Sequence, residues 1–263
     1  MKSWLLDLIF LSDKRTEFLL LLKDGPKSVD EAREKMDVRR TSLLPQIKKL
    51  KEQELVVQEE NKYSLSLQGK VIVEKIYPLL NTVRVFEKDT KFWMERKLDS
   101  IPYPFLSRIE EIGDYHLIEP DLGHAFELIP EFVEKMSNSN SVAMYFSFFH
   151  PQSPEFFLSL AEKDIDFSLI INKPVLERLE KDFRYETAKI LERENTNVFI
   201  FNEKEIETPA VIAASDKVMF LGLFDRNSKF DRQYIMNSKP ESLEWGKDLF
   251  SYYAGMSGKL ESI

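Results

Sequence analysis

RRTSLLPQIKKLKEQELVVQEENKYSLSLQGK, residues 39–70, is the stretch whose reading decides the fold of the N-terminal third of this chain. Leu43, Ile47 and Leu50 recur at spacings of three and four, which is the buried stripe of an amphipathic helix. At 100° per residue the opposite face carries Thr41, Ser42, Pro45, Lys48 and Lys49, with Arg39 and Arg40 at its entrance. Up to Glu52 the segment holds five cations (Arg39, Arg40, Lys48, Lys49, Lys51) and one acid. Behind it, Leu55–Gln58 and Tyr63–Leu67 read as the strands of a hairpin turning at Glu60-Asn61-Lys62, with Tyr63, Leu65 and Leu67 pointing inward.

On the N-terminal side, Ser12 and Asp13 can cap a helix over about 14–23, and Gly25-Pro26 stops it. Ser28 with Glu31 three residues on forms a capping-box pattern ahead of Val29, Ala32 and Met36, and Asp37-Val38 makes a turn. Three helices and a two-stranded wing are the order of a winged helix-turn-helix, assigned here to residues 1–69. In that arrangement the third helix reads double-stranded DNA. Its candidate contacts are Arg39, Arg40, Thr41, Ser42, Gln46, Lys48 and Lys49, with Asn61 and Lys62 at the wing tip, where Glu59 and Glu60 weaken phosphate contact. Pro45 offers no N–H, and Ser42 as N-cap would put it in the first helical turn, where none is needed. Glu54 stands where many winged helices have glycine, and must avoid or tolerate a left-handed backbone. Winged helices also serve as protein–protein modules, so recruitment of another protein is the alternative reading.

Charge separates this module from the remainder. Residues 1–85 hold 16 Lys+Arg and 13 Asp+Glu, while residues 86–263 hold 21 and 32. Only the first segment suits phosphate. The chain has no cysteine, which excludes disulfides, thiolate metal sites and thiol catalysis. Its longest apolar runs are too short for a bilayer, and the opening MKSWLLDLIFLSDKR, interrupted by Asp7 and lacking a cleavage site, reads as an amphipathic first helix of a cytoplasmic protein.

Residues 70–97 read as a helical connector. Ile72, Ile76, Leu79, Val83, Phe86, Thr90 and Trp93 form a heptad-like seam that fits either a homodimer helix or packing on the same chain, with Pro78 kinking or splitting it. In residues 98–263 the candidate strands are Val142–Phe149, Asp166–Ile171, Val198–Phe201, Val211–Ala214 and Val218–Phe224. The candidate helices are Ala125–Met136, Pro154–Lys163, Pro174–Asp182, Tyr185–Glu194 and Ser242–Ala254. Their alternation predicts an α/β layer with a largely parallel sheet and a final hairpin, α+β for the chain as a whole. Polar residues cluster just past the strands: His150, Asn172, Lys173, Asn202, Asp225 and Arg226. With Tyr145 they are candidates to line an effector pocket, and Phe149 and Trp245 could add aromatic walls. Strands commonly end in polar loops, so each of these residues also fits a plain loop position.

LLPQIKKLKEQELV (43–56) with YSLSLQGK (63–70) resembles archaeal winged-helix regulators, especially the methanogenesis/filamentation regulator family of methanogens. IPYPFLSRIEEIGDYHLIE (101–119) resembles the start of that family's middle domain, and LEWGKDLFSYYAG (243–255) its closing helix. The resemblance implies a transcriptional regulator, dimeric, whose middle domain senses a signal. A phospholipase-D-like fold, which some archaeal sensor domains resemble, is one form that domain can take, without its catalytic motif. None of His116, His124 and His150 stands in a His-x-Lys arrangement. No nucleophile elbow, P-loop, dinucleotide-binding glycine motif or His-Glu-x-x-His occurs either, so the sequence implies neither enzyme, cofactor nor metal site.

Overall fold

A computed structural model describes residues 3–120, 127–163, 165–202 and 206–262. The chain divides into two units, Met1–Asn81 and Thr82–Ile263.

The first unit contains α1 (Trp4–Phe10), α2 (Asp13–Leu21), β1 (Lys27–Ser28), α3 (Val29–Lys35), α4 (Arg40–Glu52), β2 (Val56–Glu59), β3 (Lys62–Leu65) and the beginning of α5 (Leu67–Lys88). Phe18, Leu19, Ala32, Leu43, Ile47, Leu50 and Leu55 are buried together as its core. The Ser28–Glu31 capping box forms as its spacing requires, at 3.2 Å from Glu31 N–H to Ser28 Oγ and 2.7 Å from Ser28 N–H to the Glu31 carboxylate. Strands β2 and β3 pair antiparallel from Val56↔Leu65 to Glu59↔Lys62, so the turn is Glu60-Asn61 alone. A short β1, not anticipated from the sequence, adds a third strand to β3. The unit is a winged helix.

Leu67 departs from the expected inward alternation: it opens α5 and is 81% exposed. The strand ends because Ser66 turns to cap the helix, its Oγ accepting the Gly69 N–H at 2.9 Å. Helix α1 also differs from expectation. It buries Ile9, yet Trp4, Leu6, Phe10 and Leu11 are exposed beside Asp7, so its outer face is apolar rather than polar.

The end of α4 fixes where the wing begins. Glu54 adopts φ 54°, the left-handed conformation its position demands. Its N–H bonds to the Lys51 carbonyl (3.0 Å) and the Leu55 N–H to the Leu50 carbonyl (3.0 Å), which is the Schellman closure, with Leu50 and Leu55 both buried. Downstream, a Cβ on Gly69 would stand 2.1 Å from the Leu55 carbonyl oxygen, so only glycine lets α5 approach there.

Pro78 lies inside an uninterrupted α5, and the chain breaks instead at Asp89, before α6 (Thr90–Glu95). The heptad seam is not continuous either. In the second unit Trp93 is buried, its indole N–H 2.8 Å from both the Val85 carbonyl and the Tyr115 hydroxyl, and Phe86 packs edge-on against it. Leu79 and Val83 remain exposed.

The second unit continues with α7 (Tyr103–Leu106), β4 (His116–Ile118), α8 (Pro130–Ser137), β5 (Ser141–Phe146), α9 (Ser153–Ala161), β6 (Asp166–Asn172), α10 (Lys173–Asp182), α11 (Arg184–Leu191), β7 (Thr196–Phe201), β8 (Val211–Ser215), β9 (Met219–Gly222), β10 (Tyr234–Asn237), α12 (Pro240–Gly255) and β11 (Gly258–Lys259). Its sheet order is β11-β7-β6-β5-β8-β9-β10-β4. Only β5–β6 and β6–β7 pair parallel, so the sheet is mixed, not largely parallel. The reason is that a parallel step needs a crossover helix, and neither the three residues after β8 nor the eleven after β9 contain one, so the chain returns antiparallel. Strand residues alternate between two cores. Met144, Leu169 and Phe220 face the side covered by α8–α11, while Tyr145, Ile170 and Leu221 face the side holding Trp93, Trp245, Leu249 and Tyr253. The unit is therefore a three-layer α/β structure. His124 and the first two residues of the expected helix from Ala125 lie outside the described residues.

Two substitutions test the α4–wing–α5 junction. Glu54→Gly is expected to raise stability by about 1 kcal/mol by removing Cβ crowding. Gly69→Ala is expected to lower it by about 1–3 kcal/mol through the clash with Leu55. Urea midpoints measure both, and a Glu54→Gly protein that unfolds earlier would contradict this reading.

Candidate nucleic-acid interface and strand-end cleft

Leu43, Ile47 and Leu50 anchor α4 at no more than 1% exposure. Thr41, Pro45, Lys48 and Lys49 stand exposed on the other side, with Arg39 and Arg40 exposed at the entrance. The N-cap is Arg39, not Ser42: the Ser42 and Leu43 N–H groups both bond to the Arg39 carbonyl, at 2.9 and 3.2 Å. The earlier start closes one more turn, so Pro45 falls inside the helix rather than in its first turn. The Ser42 hydroxyl is turned back onto the Arg39 carbonyl at 2.8 Å.

The cations differ in how free they are. Arg40 lies 3.5 Å from Asp30, and Lys48 is 3.8 Å from Glu52. Both contacts are solvent-exposed and worth little against a phosphate. Lys51 is held by Gln58 of the wing at 2.7 Å and sits over the Tyr63 ring. Arg39 and Lys49 are in no ion pair among the described residues, while Lys62 lies near enough to Glu31 to help lower its carboxyl. Asn61 and Lys62 are both exposed at the wing tip, beside exposed Glu59 and Glu60.

Gln46 is placed differently from the base-reading role expected of it. It is half-buried on the flank of α4, and its Oε1 accepts from Nη1 of buried Arg15 at 2.8 Å. Arginine only donates, so the carboxamide oxygen must face inward. The Arg15 Nε also bonds to the Leu8 carbonyl. One guanidinium thus ties α1, α2 and α4 together, a role that no spacing rule in the sequence reveals.

In the second unit the carboxyl ends of β5, β6 and β7 open onto a cleft of about 440 Å³. Tyr145, Asn172, Lys173 and Asn202 line it, joined by Phe201, Thr208 and Glu177. Burial pushes the Tyr145 hydroxyl up to about 12, with a hydrogen bond to Thr208 pulling the other way. Asn172 is structural as well. Its Oδ1 caps α10 by accepting the Val175 N–H (3.0 Å), and its Nδ2 donates to the Ser147 carbonyl (2.6 Å).

Three of the strand-end candidates do not line this cleft. His150 is buried, its Nδ1 accepting the Gln152 N–H at 3.2 Å. Asp225 caps its own turn, and the N–H groups of Lys229 (2.7 Å) and Asn227 (2.9 Å) hold its carboxyl below the usual range. Arg226 is exposed, its backbone N–H on the Glu95 carbonyl. The two aromatics are elsewhere too: Phe149 packs on Phe183, and the Trp245 indole is buried against the Phe105 carbonyl. Strand β9 lies two places from β5 in the sheet, which separates its loop from the cleft.

Family models for the methanogenesis regulatory protein FilR1 match this chain twice, the N-terminal domain over residues 5–84 and the middle domain over residues 125–256. The chain belongs to the FilR1 family. Methanogenesis regulatory protein FilR1 of Methanothrix harundinacea (strain 6Ac) is 20% identical over 258 residues, covering 95% of this chain. The match spans 56% of that relative's length. The stretch 101–119 lies between the two matched ranges rather than at the start of the middle domain, while 243–255 falls just inside its end. A solved structure of TrmBL2, described as an archaeal chromatin protein with a novel mode of DNA binding, aligns over 98% of both chains. Its identity is 11% and its TM-score 0.43, a likeness too distant to argue from. No helix among the described residues is long and apolar enough to cross a membrane.

Burial holds the His150 proton affinity below its ordinary value of 6.5, with Arg232 adding to the effect. As pH falls, the unfolded chain takes up this proton before the folded one. The His150 contribution is therefore intact above about pH 6.5 and lost as pH drops below it towards the folded value. His150→Gln is expected to flatten the decline of Tm between about pH 7 and 5. An unchanged slope would count against a neutral, buried His150.

Proposed function

We propose that this FilR1-family chain is a dimeric, sequence-specific transcriptional regulator. In this reading α4 and the β2–β3 wing engage double-stranded DNA, and the strand-end cleft takes a small-molecule effector. The supporting observation is α4 itself: a helix anchored by three apolar residues and presenting Arg39, Arg40, Lys48 and Lys49 to solvent, within a winged helix. Cations at a helix entrance reach phosphates, and that fixes the register from which base edges are read. Gln46 supports the helix rather than reading bases.

For the dimer we assign the exposed apolar positions of α5, among them Leu67, Val71, Leu79 and Val83. An isologous contact there would set the spacing of two recognition helices. For the effector, the mixture of Phe201 and Tyr145 with Lys173, Asn202 and Thr208 suits a small polar organic molecule. A second reading, protein recruitment by the first unit, is favoured by the exposed apolar face of α1.

Fluorescence anisotropy with duplex DNA from upstream of the chain's own gene, over a salt series, separates these readings. Arg40→Ala and Lys49→Ala are each expected to weaken binding and to reduce the salt slope by about one. Unchanged affinity and slope in both variants, with folding intact, would exclude the DNA-contact role of α4 and leave recruitment.

A further inference from the structure

The strand-end cleft is tied to one short turn by two independent routes. Along the first, Ile206 and Thr208 line the cleft, and Glu207 between them pairs its carboxylate with the Lys97 ammonium at 3.0 Å. The Lys97 side chain is only 20% exposed, so this pair is better shielded than an ordinary surface contact. Along the second, buried Tyr145 borders the cleft, and its ring lies 5.4 Å from that of buried Tyr253 on α12. The Tyr253 hydroxyl donates to the Ser100 carbonyl at 2.8 Å, and the Ser100 hydroxyl donates to the Lys97 carbonyl at 2.6 Å. Both routes end on residues 97–100, directly after α6. The loop after β9 holds the same segment through the Lys97 N–H on the Phe224 carbonyl and the Arg226 N–H on the Glu95 carbonyl, both at 3.0 Å. Between them the buried Arg96 guanidinium donates from Nη2 to Asp231 (2.6 Å) and to Gln233, while its Nε and Nη1 donate to no group among the described residues. Those two donors stand in reserve for another arrangement of the segment.

We propose that turn 97–100 relays occupancy of the cleft to the helix that leaves the winged-helix unit, and so sets DNA affinity. This rests on the cleft as an effector site and α4 as the DNA helix, and adds the route that joins them. A molecule seated against Ile206 and Thr208 bears on the peptide that carries Glu207, and one seated against Tyr145 bears on the ring packed on Tyr253. Neither tie parts at low cost. Separating Tyr253 from Ser100 would leave a buried carbonyl without a donor, and separating Lys97 from Glu207 would leave a mostly buried ammonium unpaired. In a close-packed interior the easier response is for the turn to move with the cleft wall. The displacement then reaches α6, where the Trp93 indole N–H holds the Val85 carbonyl of α5 at 2.8 Å. Helix α5 is one helix from Leu67, in the first unit, to Lys88, in the second. A ligand that binds one arrangement of the turn more tightly than the other thereby shifts the equilibrium at α5.

The chain has no cysteine, so one introduced thiol can be alkylated uniquely. Glu177→Cys places that thiol on the α10 wall of the cleft, and N-ethylmaleimide attached there is the probe that occupies it. Because the tether stands in for the effector, the outcome does not depend on which molecule the cleft takes. Glu180→Cys, exposed on the same helix and outside the cleft lining, is the control. Amide hydrogen exchange over residues 93–100 and fluorescence anisotropy with duplex DNA are measured on the full chain before and after alkylation. Alkylation at position 177 is expected to change exchange across 93–100 and to shift DNA affinity about fivefold, and alkylation at position 180 to do neither. Lys97→Met and Tyr253→Phe together remove the charge and the hydroxyl while keeping the stem and the ring. In that background the shift is expected to fall below about twofold. A shift of full size with both ties removed would overturn the relay, as would unchanged exchange at 93–100 or unchanged DNA affinity on alkylation. If none of the proteins binds DNA, the DNA-binding reading falls instead, and the exchange measurement alone decides the relay.

Discussion

The first unit depends on the backbone of Leu55. Its N–H closes the end of α4 on Leu50, its carbonyl accepts the Ser66 N–H at 3.1 Å, and the same oxygen lies against Gly69 of α5. Three elements meet at one residue: the helix proposed to read DNA, the wing behind it and the helix that leaves the module. The junction requires Glu54 to be left-handed, so the sequence tolerates local strain to fix the angle between α4 and the wing. Buried Arg15 is a second tie, joining the Leu8 carbonyl of α1 to Gln46 at the middle of α4.

Because α4 is held at its middle by Arg15 and at its C-terminal end by Leu55, its outer face is presented as a rigid surface. That matters for recognition, since contacts to base edges discriminate only when the groups that make them are fixed in advance. Pro45 adds to the rigidity by locking its own φ, at the cost of one hydrogen bond on the exposed side. The second unit has a different organisation. Its three-layer sheet buries large aromatics on both faces, and its polar groups gather where three parallel strands end and the crossovers to α9 and α10 begin.

Much of this was legible in the sequence for identifiable reasons. The stripe Leu43, Ile47, Leu50 and the Ser28–Glu31 box are local patterns, and local patterns survive folding. Tyr145, Asn172, Lys173 and Asn202 converge because parallel neighbours bring their carboxyl ends together. The misreadings have two causes, a competing local signal at Ser42 and Leu67 and a distant partner at Trp93 and Gln46. Ser42 looks like an N-cap, but the helix had already started at Arg40. Leu67 continues a strand alternation until Ser66 caps α5. Trp93 fits a heptad seam, yet finds its hydrogen bonds at Val85 and Tyr115. Gln46 has the composition of a base reader, and only the fold brings Arg15 against it. The short strands β4, β10 and β11 carry too little alternation to announce themselves, and they exist because the sheet edge supplies partners.

Hydrogen–deuterium exchange on the full chain, with and without duplex DNA from upstream of its own gene, is the most direct test that α4 and the wing form the DNA surface. DNA is expected to slow exchange across residues 39–53 and at the wing tip, residues 60–62, with α10 and the strand-end cleft unaffected. Slowed exchange confined to the second unit, or none in α4 while DNA is bound, would contradict the proposed interface.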